Sequence, residues 1–257
     1  MSAPVTCVVE AGVATITLDR PDAKNRLDAE SMALLLEHLR STAGDPTVRV
    51  VVLTGTGTTF CSGADLAGAV AATSGGFASG GTSGLVDVLV AMLDHPKPII
   101  GRVQGHVAGG GNGLVAACDL AVASEDARFA FSEVRVGVAP SIISVVCLQV
   151  MHRRDAQELL LTGERVSAHR VLSAGLVTQV VEPGALDAAV AAYVDQLVQG
   201  GPEAIARTKE LLRRVPALPR DDALAWTAEV SAGLFTSSEA REGMTAFLEK
   251  RKPEWAP

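Results

Sequence analysis

Two runs of small residues, each placed after a strand-like segment, constrain this chain most. Phe60-Cys61-Ser62-Gly63-Ala64-Asp65-Leu66 follows the apolar run Val48 to Leu53. Gly105-His106-Val107-Ala108-Gly109-Gly110-Gly111-Asn112-Gly113 follows Pro98 to Val103. Glycine at a strand end lets the chain turn sharply and lets a ligand approach the main chain. Where the turn opens a helix, exposed N–H groups and the positive helix end hold negative charge. Two such turns can each aim one amide at a single oxygen, which makes an oxyanion hole out of backbone.

The rest of the pattern supplies strands and helices around those turns. Val5–Val9 and Thr15–Leu18, separated by Ala11-Gly12, read as a hairpin. Met32, Leu35, Leu36 and Leu39 share one face of a helix running from Asp28 to Ala43, opened by acids and closed by Gly44. The stretch 67–84 is poor in charge and rich in Ala, Ser, Thr and Gly, and reads as a surface loop. A helix over Leu85–Leu93 follows it. Short strands at Asp119–Ala123 and Phe129–Phe131, separated by helices, imply parallel pairing through crossovers. Beyond Pro140 the pattern is helical, interrupted by an extended Leu176–Val181. Leu186, Ala189, Val190, Tyr193, Val194 and Leu197 form a helical stripe, and further helices are predicted over 202–214, 221–235 and 238–250. The expected class is α/β with a helical C-terminal region.

With 257 residues, 48% of them hydrophobic, the chain can bury a large core. A net charge of −7 gives no electrostatic reason to expect nucleic acid or an anionic membrane as partner. Cys7, Cys61, Cys118 and Cys147 are scattered without metal-ligand spacing and read as free thiols in a reducing compartment. Met-Ser-Ala-Pro-Val-Thr has no basic region leading into an apolar core, and no apolar run is long enough to span a membrane. The expectation is a soluble, cytoplasmic protein.

From Arg20-Pro21 and Lys24-Asn25-Arg26-Leu27 to Phe247–Pro253, the chain resembles the crotonases, the enoyl-CoA hydratase/isomerase superfamily. The matches run in order through FCSGADL, GHVAGGGNGL, Ala117-Cys118-Asp119-Leu120, FAFSEVRVGVAP, Leu161-Thr162-Gly163 and Ala174-Gly175-Leu176-Val177. The resemblance implies a spiral of ββα units over 1–195, a helical trimerisation region over 196–257, and a homotrimer or homohexamer. It implies an acyl-CoA thioester as substrate, with no separate cofactor and no metal, because coenzyme A is part of the substrate. It assigns the amides of Ala64 and Gly110 to the oxyanion hole, where one donor is worth about 3 kcal/mol of barrier.

Glu133 matches the family's catalytic glutamate. Read alone, a Glu in Phe-Ser-Glu-Val is either a solvated strand-edge residue or a carboxylate whose pKa an apolar setting raises. The best-known hydratases carry a second glutamate, and its position here is Gly113; Asn112 beside it cannot serve as a base. One acid can add water across a double bond or shuttle a proton to move it, so hydratase and isomerase both stand, with a silent acyl-CoA binder as the non-enzymatic alternative. The segment Val138–Ser144 resembles hydratase-type variants acting on branched or polar enoyl-CoAs. Ser141 either binds the attacking water or a substrate group, or caps the next helix.

For the coenzyme, the resemblance places Lys24 and Arg26 near pantetheine and phosphates and Ala64, Asp65 and Leu66 along the adenine side. Gly110 completes the contacts. Lys250 and Trp255 lie in a tail that reaches a CoA site in this family, or that is simply a solvated basic tail. His106 reads as structural.

Overall fold

A computed structural model describes residues 3–64 and 81–257 of the chain. The sheet that organises it contains β1 (Val5–Glu10), β2 (Val13–Leu18), β3 (Val50–Gly55), β5 (Ile99–Val103), β7 (Leu120–Ser124) and β10 (Gln179–Val181), side by side in that order. Only the β1–β2 hairpin is antiparallel; every later pair is parallel. Ala11 and Gly12, both at positive φ, make the hairpin turn.

A second, four-stranded sheet is built from short strands: β4 (Thr59–Cys61), β6 (His106–Ala108), β8 (Arg128–Ala130) and β9 (Arg165–Ser167). Three times over, a strand of the large sheet is followed within a few residues by a strand of the small one: β3 by β4, β5 by β6, β7 by β8. In each sheet these successive strands pair in parallel. The chain therefore advances as a repeat of long strand, short strand and helix, the spiral anticipated above.

The helices among the described residues are α1 (Ala29–Gly44), α2 (Gly81–Leu93), α3 (Gly110–Ala117), α4 (Ser141–Val150), α5 (Arg153–Thr162) and α6 (Ala168–Ser173). Four more follow: α7 (Leu186–Leu197), α8 (Pro202–Arg214), α9 (Arg220–Phe235) and α10 (Ser238–Glu249). Asp28 caps α1 by accepting from Ser31 N–H at 2.9 Å. The strand β3 is buried at all six residues, as a parallel strand covered on both faces must be. Val51 and Leu53 enter the main core, whereas Val50 and Val52 pack with Ile100, Val122 and the α7 residues Leu186 and Val190. The helical stripe read along 186–197 is the face that covers the back of the sheet.

Three polar ties fasten the C-terminal helices to this core. Arg49, just before β3, donates to the carbonyls of Trp255 (2.8 Å) and Gly200 (2.7 Å). Lys209 of α8 pairs with Asp119 at 2.6 Å, and Arg213 with Asp94 at 2.6 Å. Trp255 donates its indole N–H to Gln199 O at 3.0 Å. The boundary strands differ from expectation in one respect. The strands β4, β6 and β9 have three residues each, too few for a period to be read, and only pairing in the small sheet defines them.

His95 is a buried titratable group of this scaffold, 3% exposed. Its Nε2 lies 3.2 Å from Thr42 Oγ1, and its Nδ1 accepts from Lys97 N–H at 3.2 Å. Burial, with Lys209 and Lys97 nearby, pushes its pKa down to about 4. Unfolding returns it to about 6.5, so the unfolded chain binds the extra proton between those values and stability falls as pH drops through that window. Urea unfolding at pH 7 and pH 4.5 should show a loss of up to about 3 kcal/mol from this group, and His95→Gln should flatten that slope.

Candidate active site

The strand β4 ends at Cys61, and the chain turns at Gly63 with φ +87°, a conformation that favours glycine. A Cβ at Gly63 would stand 2.8 Å from Ala108 O and 3.1 Å from Gly110 N. The close approach of the two glycine runs predicted from sequence is therefore real: the end of β4 lies against the loop that opens α3. Gly110 is the first residue of α3, so its N–H is among those a helix leaves without an internal partner, at the positive end of the dipole. Ala64 N–H makes no backbone hydrogen bond among the described residues.

The loop before α1 lies alongside this strand end. Leu27 N–H donates to Gly63 O at 2.8 Å, Leu27 bridges Ala64, and Ser62 N–H donates to Lys24 O at 3.1 Å. Lys24 and Arg26 are thereby brought to the rim of the Ala64–Gly110 pair. Asn25, 2% exposed, holds that loop in place: its Nδ2 donates to Thr56 O (2.9 Å) and Thr59 O (2.6 Å). Its Oδ1 accepts from Arg20 N–H at 2.9 Å. Sequence reasoning quoted Asn25 within a motif but gave it no role; a buried Asn among turn residues was the available signal. Asp65 and Leu66, like most of the 67–84 loop, lie outside the described residues.

Glu133 arrives from the next repeat, on the 3-10 turn Ser132–Val136 that follows β8. Its Oε1 lies 3.6 Å from where a Cβ on Gly109 would stand, and that same position is 3.6 Å from Gly63 Cα. The carboxylate thus faces both glycine turns. Its Oε2 is buried, with no hydrogen-bond partner among the described residues. Burial, only partly offset by the residue's own N–H, raises its pKa above the usual carboxylate value. Leu27 and Leu85 wall the hole, at 3.1 Å and 3.4 Å from a Cβ on Gly110.

Gly113 has no room for a side chain. A Cβ there would fall 2.5 Å from Ile143 Cγ2 and 3.1 Å from Ile143 Cβ, and Ile143 is 3% exposed on α4. The space that a second acid would take is filled by a branched aliphatic residue. Ser141, on the first turn of α4, is exposed and donates to Ala139 O at 3.4 Å; the cap position is Pro140, so Ser141 is not the helix cap.

Other candidates lie elsewhere. Lys250 ends α10 in the left-handed conformation, exposed, in a tail whose Trp255 is tied to Arg49 and Gln199. Arg49 precedes β3, whereas the hole follows from the other end of that strand. His106 opens β6 and is exposed, with Arg165 Nη2 at 2.6 Å from its Nδ1. Burial, then Arg165, Lys24 and Arg128, push its pKa down. The cysteines are free; burial raises Cys61 and Cys147 to about 12. Among the described residues no group of three or more His, Cys, Asp or Glu comes together to hold a metal, and no helix is long and apolar enough to cross a membrane.

Among the described residues, the fold sets the Ala64 strand end and the first turn of α3 beside the half-buried carboxylate of Glu133. Residues 9–257 match the family Enoyl-CoA hydratase/isomerase. The (E)-benzylidenesuccinyl-CoA hydratase of Thauera aromatica is 34% identical over 252 residues, covering 97% of this chain and 98% of that protein. The carnitinyl-CoA dehydratase of Salmonella enteritidis is 35% identical over 248 residues, covering 93% of each chain. The crystal structure of an enoyl-CoA hydratase from Mycobacterium smegmatis superposes with a TM-score of 0.93 at 39% identity, covering 99% of both chains. The chain belongs to the enoyl-CoA hydratase/isomerase family, the crotonases, and is an enzyme of that family, whose hydratase activity is a lyase reaction.

The Gly113–Ile143 contact makes a direct prediction. Gly113→Ala should destabilise by about 1–3 kcal/mol through overpacking. Ile143→Ala should cost about 2–5 kcal/mol through the cavity it leaves. Because the two changes compensate, the double variant should be more stable than the sum predicts by at least about 0.5 kcal/mol in urea unfolding.

Proposed function

We propose that this enzyme adds water across the 2,3 double bond of a short- or branched-chain enoyl-CoA, with Glu133 as its sole acid and base. The observation that carries the proposal is the pairing of a desolvated Glu133 beside Gly109 with an Ile143 that closes the Gly113 position. The relatives support the direction: one is named a hydratase and another a dehydratase of CoA thioesters.

The chemistry balances on one carboxylate. Glu133 takes a proton from water as the water oxygen attacks Cβ, and the π electrons move to the thioester oxygen. The Ala64 and Gly110 amides donate to that enolate oxygen, where preorganised dipoles stabilise developing charge. Glu133 then returns the proton to Cα on the same face, giving the 3-hydroxyacyl thioester. A carboxylate without fixed partners suits both halves, since its pKa lies nearer the working pH than that of a solvated acid. Lys24 and Arg26, on the rim beside Ala64, are the groups for the pantetheine and phosphates. Asp65, Leu66 and Lys250 complete the proposed coenzyme contacts, Lys250 from a neighbouring subunit. That assembly, a homotrimer or a pair of trimers, is supported by exposed apolar side chains on the C-terminal helices, among them Phe235, Phe247 and Leu248.

The decisive assay follows loss of the enoyl-thioester absorbance with crotonyl-, methylcrotonyl- and methylglutaconyl-CoA. Glu133→Gln should lower kcat by about 10²–10⁴-fold while leaving CoA affinity nearly unchanged. Full activity in that variant overturns the assignment. A shifted double bond with no hydroxyacyl product assigns isomerase chemistry instead, and saturable CoA binding with no turnover assigns a binder. In wild type the base must be ionised, so kcat/KM should fall as pH drops, with its acidic limb above the ordinary carboxylate value.

A further inference from the structure

The peptide that leads into Glu133 is held by a residue the mechanism does not use. Ala130 O, at the end of β8, accepts two hydrogen bonds: from Gly109 N–H at 3.2 Å and from Asn112 Nδ2 at 2.8 Å. Asn112 N–H in turn donates to Gly109 O at 2.9 Å. Both lone pairs of the Ala130 carbonyl are thereby used, and the three residues close a small ring of bonds joining the hole loop, the first turn of α3 and the end of β8.

Asn112 is fully buried, on a helix buried at every residue, where an apolar side chain would be the ordinary choice. Its Oδ1 has no partner among the described atoms, so only the donor half of the amide is satisfied. A half-satisfied buried amide persists where its bonded half has a task. That bonded half reaches the carbonyl two residues before the turn carrying Glu133. At the other end of the turn, Glu133 O accepts from Val138 N–H at 3.1 Å. The main chain of the turn is thus fixed on both sides, and its side chain is left to face Gly109.

We infer that Asn112 is a positioning residue: through the Ala130 carbonyl it holds the acid-bearing turn against the oxyanion-hole loop, so that acid and hole keep one spacing. This rests on the reading of Glu133 as acid and base. The role differs from the second acid of two-glutamate hydratases, because an amide bonded to a carbonyl neither gives nor takes a proton. It sets where Glu133 stands and keeps it desolvated.

The test uses the full chain with Asn112→Ala and Asn112→Thr, the latter of similar volume with a hydroxyl too short to reach Ala130 O. Carbon NMR of selectively labelled glutamate, with Glu133 assigned by Glu133→Gln, reads the Glu133 titration without any turnover. In both variants that titration should move down toward the ordinary carboxylate range as the released turn admits water. With the best enoyl-CoA, kcat should fall about 10–100-fold, a loss typical of misplaced catalytic groups, while KM and CoA affinity change less than about threefold. Folded variants with an unmoved Glu133 titration overturn the inference, whether kcat is kept or falls in step with melting temperature. Failure of the parent reading looks different: wild type turns over no enoyl thioester, or Glu133→Gln stays active, and the NMR titration still decides the role of Asn112.

Discussion

Everything at the centre of this molecule depends on two backbones meeting without side chains between them. Gly63, at the end of one repeat, stands so close to Gly110 that even a methyl group would press on the Gly110 amide. That contact sets the distance between the small sheet and the N-terminus of α3. It also brings the Ala64 strand end beside a helix dipole, and it leaves the half-buried Glu133 carboxylate facing glycine. Hydrophobic burial on both faces of the large sheet supplies the rigidity that keeps such a contact from opening.

The same contact explains the electrostatics. A carboxylate is ordinarily solvated or paired with a cation. Here the nearby cations, Lys24 and Arg26, sit on the rim alongside the strand end, and Leu27 and Leu85 line the interior. Desolvation without pairing is what shifts Glu133 upward. His95, also shifted by burial, lies just after α2 against Thr42 of α1 and serves the scaffold, moving in the opposite direction because its charged form is the cation.

Much of this was legible in the residues. The long periodic segment 186–197 announced itself because its apolar residues share one face, the face that buries Leu186 and Val190, and the glycine runs announced a close approach because a side chain at Gly63 would press on the facing backbone. The small sheet was legible only in part: Phe129–Phe131 reads as a strand where β8 runs Arg128–Ala130, but β4, β6 and β9 are three residues each with no period, and β9 is defined by its antiparallel pairing with β8. The roles of Asn25 and Asn112 were hidden for a different reason. Each bonds to carbonyls 18 to 34 residues away in sequence, and no local pattern reports a partner that only the fold brings near. Ile143 is an unremarked apolar residue in the sequence, and only the fold sets its branch over Gly113.

A hole made of main-chain amides has an inheritance of its own. Every amino acid but proline carries the N–H that Ala64 and Gly110 present. Side chains around the acyl pocket can therefore be exchanged freely over generations, and the oxygen-binding device passes unchanged through each exchange. Descendants of such a chain would be expected to drift widely in what they accept while keeping the same way of accepting it.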